Sequence, residues 1–358
     1  MSSVRLYGRV SGSSSHAVVT SGFRRTLESR GLLAGVVALD VPHDEEEPSP
    51  PGAQAPHAVF TGPLDYVDQM LINTTHTRRW VVVAPNSDRL PSSVVMRVQR
   101  VATDLIAPSR WAADVLRTQF TGAAARPITV VRHGLDPKFG SLRMKRDLRP
   151  ETWKLRQWTI LHFSSSERSR KSTFELVQAW LVLRKEGAIP STAQLICVLD
   201  WEADNALRER LADAEIGLDE SVEILQRLEL SPQRAAIVLN TVHLVCQPSR
   251  AEAFGLVPLE ALACGTPVVA TACTGHAEYL PASGAVIVPH GELAPSDDHP
   301  GAQAPEVTQE EIQEALVTAL LHWDKLYIQA QAHAAGVAAT WSWDAQLADF
   351  CARVSSGG

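Results

Sequence analysis

"RAEAFGLVPLEALACGTPVVAT" (residues 250–271) sets Glu252 and Glu260 around an apolar segment that opens on Phe-Gly and closes on Cys-Gly-Thr-Pro. Proline is tolerated in the first turn of a helix and not in its middle, so Pro258 marks a helix start. Gly265 suits the left-handed position just past a helix end, and Thr-Pro then stops the helix. The spacing predicts a short helix from about Leu256 to Ala263, with Glu252 in the loop ahead and Glu260 roughly one turn inside. The "AFGL" segment would offer free backbone amides at the helix N-terminus, a ready anion site. "VHLVCQPS" (242–249) ends just before it and reads as a buried strand. Open α/β sheets take ligands at the C-terminal ends of such strands.

The same alternation runs outward in both directions. Strand candidates in the first part are "VRLYG" (4–8), "LLAGVVALDV" (32–41), "AVFTG" (58–62), "RWVVVAP" (79–85) and "DLIAP" (104–108), and "ITVVRHGLDP" (128–137) reads as a strand leading into a turn. In the second part they are "WTILHFS" (158–164), "AQLICVLD" (193–200), "SVEILQ" (221–226), "VHLVCQPS", "PVVATA" (267–272) and "GAVIVP" (284–289). Near-continuous apolar strands separated by amphipathic helices predict parallel sheets covered on both faces. The fold class is therefore α/β, with two doubly wound, Rossmann-like domains facing a central cleft. The expected domains are 1–146 and 147–340, with a last helix in 341–358 packing back on the first domain. The boundary lies in "GSLRMKRDLRPET" (140–152). "PHDEEEPSPPGAQAPH" (42–57) and "HGELAPSDDHPGAQAPEVT" (290–308) read as loops, and both contain PGAQAP.

The 358 residues suit two domains of ordinary size. No apolar run approaches the roughly 20 residues that span a bilayer, and the first residues carry no signal-peptide core. Five scattered cysteines without a CxxC pair argue against a zinc site or a disulfide frame. A cytoplasmic location is the expectation. The net charge of -7 is unevenly spread: residues 1–150 carry 19 Lys+Arg against 13 Asp+Glu, and the remainder 14 against 27. A basic first half suggests an anionic partner.

Carboxylates accept hydrogen bonds from sugar hydroxyls. Two of them, with amide donors between, suit a ligand that has hydroxyls at each end and phosphate in the middle, as a nucleotide sugar has. Glu260 would take the ribose and Glu252 the transferred sugar. A plainer reading also fits: Glu252 favours the helix dipole and Glu260 is a surface residue.

The wider context adds weight. "EAFGLVPLEALACGTPVVAT" closely resembles the E-x7-E segment of the retaining glycosyltransferases of family 4, which have the GT-B fold. "TGHAEYL" (274–280), "IAPSRWAADVL" (106–116) and "VVRHGLD" (130–136) resemble further landmarks of that family. The resemblance implies a hexosyltransferase that moves a sugar, such as glucose from UDP-glucose, onto an acceptor hydroxyl with retention. It implies a UDP- or GDP-sugar co-substrate and no other cofactor. Donor-site residues carried over are Glu252, Phe254, Gly255, Leu256 and Glu260, with Lys171 on the diphosphate. The arginine usual six residues before that lysine falls on Ser165, so Arg168 or Arg170 is the expected substitute, unless both are solvated loop charges. Backbone groups of Arg227 and Leu228 would read the base. Gly12, in the glycine-rich first loop, would approach the diphosphate. No D-x-D sequence occurs, which agrees with a metal-independent site. Fixed cations would instead stabilise the leaving diphosphate.

On the acceptor side His16, Asn86 and Asp88 are the catalytic candidates, with no enzymic nucleophile. His16 equally fits a helix-capping or solvated histidine, and Asp88 a turn cap. Ser13, Ser87, Arg78, Arg79 and Arg89 are acceptor-binding candidates, and Arg97, Arg100 and Arg110 add to the same basic half. Arginines that neutralise phosphates suit DNA. Hydroxymethylated pyrimidine in DNA, as in phage-type DNA modification, is the leading acceptor expectation. A lipid phosphate or small-molecule acceptor is the alternative, and a non-catalytic nucleotide-sugar-binding protein the alternative from another class.

Overall fold

The computed structural model describes residues 3–12, 14–40, 55–142, 158–165, 169–226, 230–280, 282, 284–296 and 300–356. The chain divides into two compact units. The first comprises residues 1–85, 89–136 and 339–358, and the second 86–88 and 137–338. Most of "GSLRMKRDLRPET" and of the acidic segment 42–57 lies outside the described residues.

In the first unit β1 (Val4–Gly8), β2 (Leu33–Ala38), β3 (His57–Phe60), β4 (Arg78–Val82), β5 (Asp104–Ala107) and β6 (Ile128–Val130) form a parallel sheet in the order β2-β1-β3-β4-β5-β6. Side chains alternate between its faces. Leu6, Val59, Trp80, Val82 and Ile106 point to one face with Phe23 and Leu27 of α1 (Ser15–Ser29). Tyr7, Phe60, Val81 and Leu105 point to the other, with residues of α2 (Val67–Leu71), α3 (Ser92–Val101) and α4 (Arg110–Gln119). Ser14 and Ser109 cap α1 and α4 with their hydroxyls, as capping preference predicts. Trp343, Phe350 and Val354 complete the core beside α1.

The second sheet is built likewise from β7 (Thr159–Ser164), β8 (Gln194–Leu199), β9 (Val222–Gln226), β10 (Leu244–Gln247), β11 (Val268–Thr271) and β12 (Ala285–Val288). Its order is β12-β11-β10-β7-β8-β9, all parallel. α5 (Thr173–Lys185), α6 (Trp201–Asp213), α7 (Pro232–Thr241), α8 (Leu256–Ala263), α9 (Gln309–Leu321) and α10 (Trp323–Thr340) lie along this part of the chain. The strand order reverses between β7 and β10, so the loops that leave these two strands flank the switch point where open sheets hold their ligands. Gln247 ties the two strands there: its side chain receives the Phe163 amide at 3.3 Å and donates to the Phe163 carbonyl at 2.9 Å.

Two expectations change. Residues 290–308 are more than a loop, because β13 (Leu293–Pro295) and β14 (Gln303–Pro305) pair antiparallel, and the second PGAQAP supplies β14. Arg250 adds side-chain bonds to this proline-rich pairing: Nε donates to Pro305 O at 2.8 Å, and Nη2 reaches Pro295 O and Ala304 O at 3.3 and 3.4 Å. The last helix, expected as one, is two: α11 (Trp343–Gln346) and α12 (Ala348–Ser355), separated by Leu347 at φ -94° and ψ -1°. No described helix is long and apolar enough to cross a membrane.

Candidate functional site

The quoted stretch folds locally as its residues dictate. α8 runs Leu256–Ala263 behind Gly255, with Gly265 at φ +70° just past its end. Glu252 lies in the loop after β10 and is buried. Its carboxylate takes two cations from the loop after β7: Arg170 Nη1 at 2.9 Å on Oε2, and Lys171 Nζ on Oε1. Arg170 is itself buried and also donates to Ala251 O at 2.9 Å, while its carbonyl accepts the Arg250 amide at 2.7 Å. Arg170 is therefore no solvated loop charge. The switch point brings together three of the donor-site candidates, the adjacent Arg170 and Lys171 with Glu252, which stands 81 residues after Lys171 in the chain.

The rest of the loop is pinned by the glycine-rich turn after β11. Thr274 Oγ1 accepts the Glu252 amide at 2.9 Å, and Glu252 O accepts the Gly275 amide at 2.8 Å. The two backbones touch: a Cβ on Gly275 would lie 2.5 Å from Ala253 C, Glu252 O and Phe254 N. Gly255 has φ +81°, and a Cβ there would fall 2.1 Å from the His276 ring. His276 is buried, and its Nδ1 donates to Thr271 O at 3.1 Å. A carbonyl only accepts, so the proton sits on Nδ1 and Nε2 carries the lone pair. Burial pushes the His276 pKa down to about 4, so the ring is neutral near pH 7. Burial also opposes the Glu252 charge, but Lys171 and Arg170 more than offset it and hold this carboxyl well below its usual range. The loop's amide and carbonyl are committed, and its carboxylate is ionised between two cations.

Phe254 is buried against Tyr279, and the Tyr279 hydroxyl donates to Gly255 O. Leu256 opens α8, and Glu260 is half-buried in it. Burial raises the Tyr279 pKa well above its usual value, and Glu252 and Glu260 add to the rise. The half-burial of Glu260 departs from the simple surface reading. On the other side of the site His162, buried on β7, bridges Cys246 O at 2.9 Å and Thr173 Oγ1 at 3.0 Å. It thereby joins β7 and β10 to the start of α5. Ser172, the N-cap of that helix, has φ +51° and a buried hydroxyl with no hydrogen-bond partner. Ser13, Arg168, Arg227 and Leu228 lie outside the described residues.

In the first unit the loop after β1 is held by Asp40, whose carboxylate accepts the amides of Val10 and Ser11 at 3.0 Å each and the Ser11 hydroxyl at 2.8 Å. Gly12 follows, exposed, with φ +84°. His16 is half-buried in the first turn of α1, with Nδ1 3.2 Å from Thr61 O. Burial lowers its pKa, so it is neither a cap nor a fully solvated histidine. Asn86, Ser87 and Asp88 group with the second unit. Asp88 exchanges hydrogen bonds with Gln303: its amide donates to Gln303 O at 3.3 Å, and its Oδ1 accepts the Gln303 amide at 2.8 Å. That carboxylate ties residues 86–88 to the β13–β14 hairpin, a contact beyond the local turn that a turn cap would serve.

The arginines need correcting most. Arg78 and Arg79 open β4, at the edge of the parallel sheet opposite the strand C-termini, so they do not flank a switch-point loop. Arg78 pairs with Asp104 at 3.4 Å, and Arg79 donates to Val101 O at 2.6 Å and His76 O at 3.0 Å. Arg97 and Arg100 share Asp68 at 3.2 and 3.4 Å. Arg89 and Arg110 are exposed, and Arg110 opens α4. Sequence reasoning did not single out Asp40, Arg250 or the role of His276. The only signal for His276 was its place in "TGHAEYL".

With this geometry in view, residues 157–309 match the family model of group 1 glycosyl transferases. An MMP α-(1→4)-mannosyltransferase of Mycolicibacterium hassiacum is 30% identical over 198 residues, 55% of this chain and 42% of that protein. A D-inositol 3-phosphate glycosyltransferase of Actinosynnema mirum is 29% identical over 221 residues, 57% of this chain and 51% of that protein. The chain thus spans about half the length of the curated relatives it matches. Among solved structures, Anabaena HepE in complex with UDP and glucose aligns over 99% of this chain and 100% of that one, with TM-score 0.67 and 15% identity. Sucrose-phosphate synthase of Thermosynechococcus elongatus aligns over 100% of both, with TM-score 0.70 and 15% identity. The chain has the GT-B fold, and the Arg170–Lys171–Glu252 cluster lies within residues 157–309, the segment that matches the model of group 1 glycosyl transferases.

Proposed function

We propose that this protein is a hexosyltransferase that moves a sugar from a nucleotide sugar to an acceptor hydroxyl. The observation that carries the reading is the Arg170–Lys171–Glu252 cluster at the switch point of the second sheet, with Arg170 and Glu252 buried and Lys171 half-buried, inside the segment that matches the family. Departure of a nucleoside diphosphate leaves negative charge on its terminal oxygen, and fixed cations in a water-poor site stabilise that charge. Lys171 and Arg170 fill this role, and Arg170 takes the place of the arginine that the sequence lacks at Ser165. Glu252 and Glu260 accept the hydroxyls of the transferred sugar and the ribose. Transfer proceeds with retention, through attack by the acceptor on the face the diphosphate leaves, and without a metal. UDP-glucose is the first donor to test, since UDP-glucose is the ligand named for one structural neighbour.

For the acceptor, two observations point to phosphate-bearing hydroxyl compounds. Residues 1–150 carry an excess of cations, which suits hydroxymethylated DNA. D-inositol 3-phosphate glycosyltransferases are among the relatives, which suits a small phosphorylated polyol. The pairing of Arg78, Arg97 and Arg100 with Asp104 and Asp68 removes part of the support for a long polyanion, and we favour the small acceptor. The test follows nucleoside diphosphate release from UDP-, GDP- and ADP-sugars, alone, with inositol 3-phosphate, and with hydroxymethylpyrimidine DNA. Release stimulated by one acceptor identifies its class. A protein that binds a nucleotide sugar yet never hydrolyses or transfers it is the non-catalytic alternative and ends the enzyme reading. Activity abolished by EDTA ends the metal-free one.

A further inference from the structure

Glu252 is committed before any ligand arrives. Its carboxylate lies between Arg170 and Lys171, the two groups assigned above to the diphosphate, and the inference rests on that assignment. Neither end of the cluster drifts easily. Arg170 is also bonded to Ala251 O, and the Glu252 backbone is fixed by Thr274 and Gly275. An incoming diphosphate therefore meets cations that already have an anion, and that anion leaves only by turning its own side chain.

We propose that Glu252 is the resident counter-ion of the diphosphate site, and that it biases the site against free nucleoside diphosphate in favour of nucleotide sugar. Two cations and one carboxylate give the cluster one net positive charge. The diphosphate of a nucleotide sugar carries two negative charges. A free nucleoside diphosphate carries a third once its terminal phosphate is fully ionised, above about pH 6. Repulsion from a neighbouring carboxylate grows with the charge of the ligand. It therefore weighs more on the product than on the donor, and it speeds product departure. In this role Glu252 acts as a charge, beyond its role as an acceptor for a sugar hydroxyl.

The experiment is equilibrium binding of UDP and UDP-glucose to the full chain, at about pH 8, for wild type, Glu252→Gln and Glu252→Asp. GDP and GDP-mannose are run in parallel. The expected result is that Glu252→Gln binds the nucleoside diphosphate tighter, on the order of tenfold, with a smaller gain for the nucleotide sugar. Glu252→Asp keeps the wild-type ratio of the two affinities. The gain for the diphosphate shrinks at about pH 5, where its third charge is lost. If Glu252→Gln loses nucleotide-sugar affinity while diphosphate binding is unchanged or weaker, Glu252 is a hydroxyl acceptor only and the proposal fails. Glu252→Ser, also neutral, carries the same expectation should the glutamine variant not fold. Wild type that binds neither ligand, with any base, overturns the donor-site assignment itself and the proposal with it.

Discussion

Each sheet reverses its strand order once, between β1 and β3 in the first unit and between β7 and β10 in the second, and the two switch points are built from opposite materials. The second is charged and largely buried: Arg170 and the half-buried Lys171 flank Glu252, leaving one net positive charge beside the neutral His162 and His276. The first is open, with a serine-rich loop held by the exposed Asp40. A buried ion cluster is stable only as a whole, because removing one partner leaves a charge without solvent. An exposed anchor gives way at little cost. The second switch point is therefore a fixed site and the first an adjustable one. The largest test of that contrast is Lys171→Ala. It should lower sugar transfer by on the order of 10²–10³-fold, measured as nucleoside diphosphate release under acceptor saturation. Near-wild-type turnover would remove Lys171 from the site.

Next in size is Gly275→Ala. A Cβ there has no flexible neighbour to displace, because what it meets at 2.5 Å is the backbone of the Glu252 loop. The expected loss is about 3 kcal/mol or more, read by denaturant unfolding, with transfer falling in parallel. A variant as stable as wild type would mean that the two loops are not in backbone contact.

The alternation of apolar strands and amphipathic helices was legible because the central strands, such as β3, β5, β10 and β11, are buried on both faces, and that pattern is local. The helix from Leu256 to Ala263 was equally legible, since Pro258 and Gly265 fix its ends by their own backbone limits. Glu252 and Lys171 could be named as separate candidates because each matches the family pattern within its own short stretch of sequence. Their contact could not, because the register of β7 against β10 sets it over 81 residues. The same holds for Arg78 and Arg97, whose carboxylate partners come from elsewhere in the first unit. Composition counts charges and does not pair them, so the basic first half overstated the cations left for a ligand. The hairpin after β12 was hidden because its proline-rich strands have no periodicity, and part of what holds it comes from the side chains of Arg250 and Asp88, distant in the chain.

Acid should distinguish the buried switch point by its protons. The folded pKa of His276, about 4, lies below the ordinary value of 6.5. Unfolding at lower pH therefore takes up a proton. The stability this ring contributes is complete above pH 6.5 and is lost as the pH falls towards 4, at about 1.4 kcal/mol per pH unit. Glu252, whose pKa is also depressed, adds a loss of the same sign below its ordinary value of 4.5. His276→Asn keeps a donor for Thr271 O and removes the titration. Its unfolding free energy should fall less steeply between pH 6.5 and 4 than that of wild type. His162, also held near pKa 4 by burial, keeps the remaining slope from vanishing. Equal slopes in the two proteins would mean that His276 is protonated when folded.

Smaller still is the strain beside the ion cluster. Ser172 caps α5 at φ +51°, and its buried hydroxyl has no hydrogen-bond partner. Glycine at this position avoids the left-handed penalty, and about 1 kcal/mol of stability should be gained in Ser172→Gly. A raised melting temperature with unchanged nucleotide-sugar affinity would mark the serine as local strain alone. A raised melting temperature with weaker affinity would assign the hydroxyl to the ligand.

The open switch point should answer most weakly. In Asp40→Asn one side-chain oxygen remains to accept an amide and the charge is lost, so the Val10, Ser11 and Ser11 hydroxyl contacts cannot all persist. Because the residue is exposed, stability should change by less than about 1 kcal/mol. The loop that carries Gly12, the residue expected to approach the diphosphate, is nevertheless released, and the cost of reordering it should raise the donor KM by a few-fold, roughly, while kcat holds. If unfolding free energy drops by several kcal/mol instead, the loop after β1 is as integral to its sheet as the Glu252 loop is to the other. The contrast between a fixed and an adjustable switch point would then be wrong.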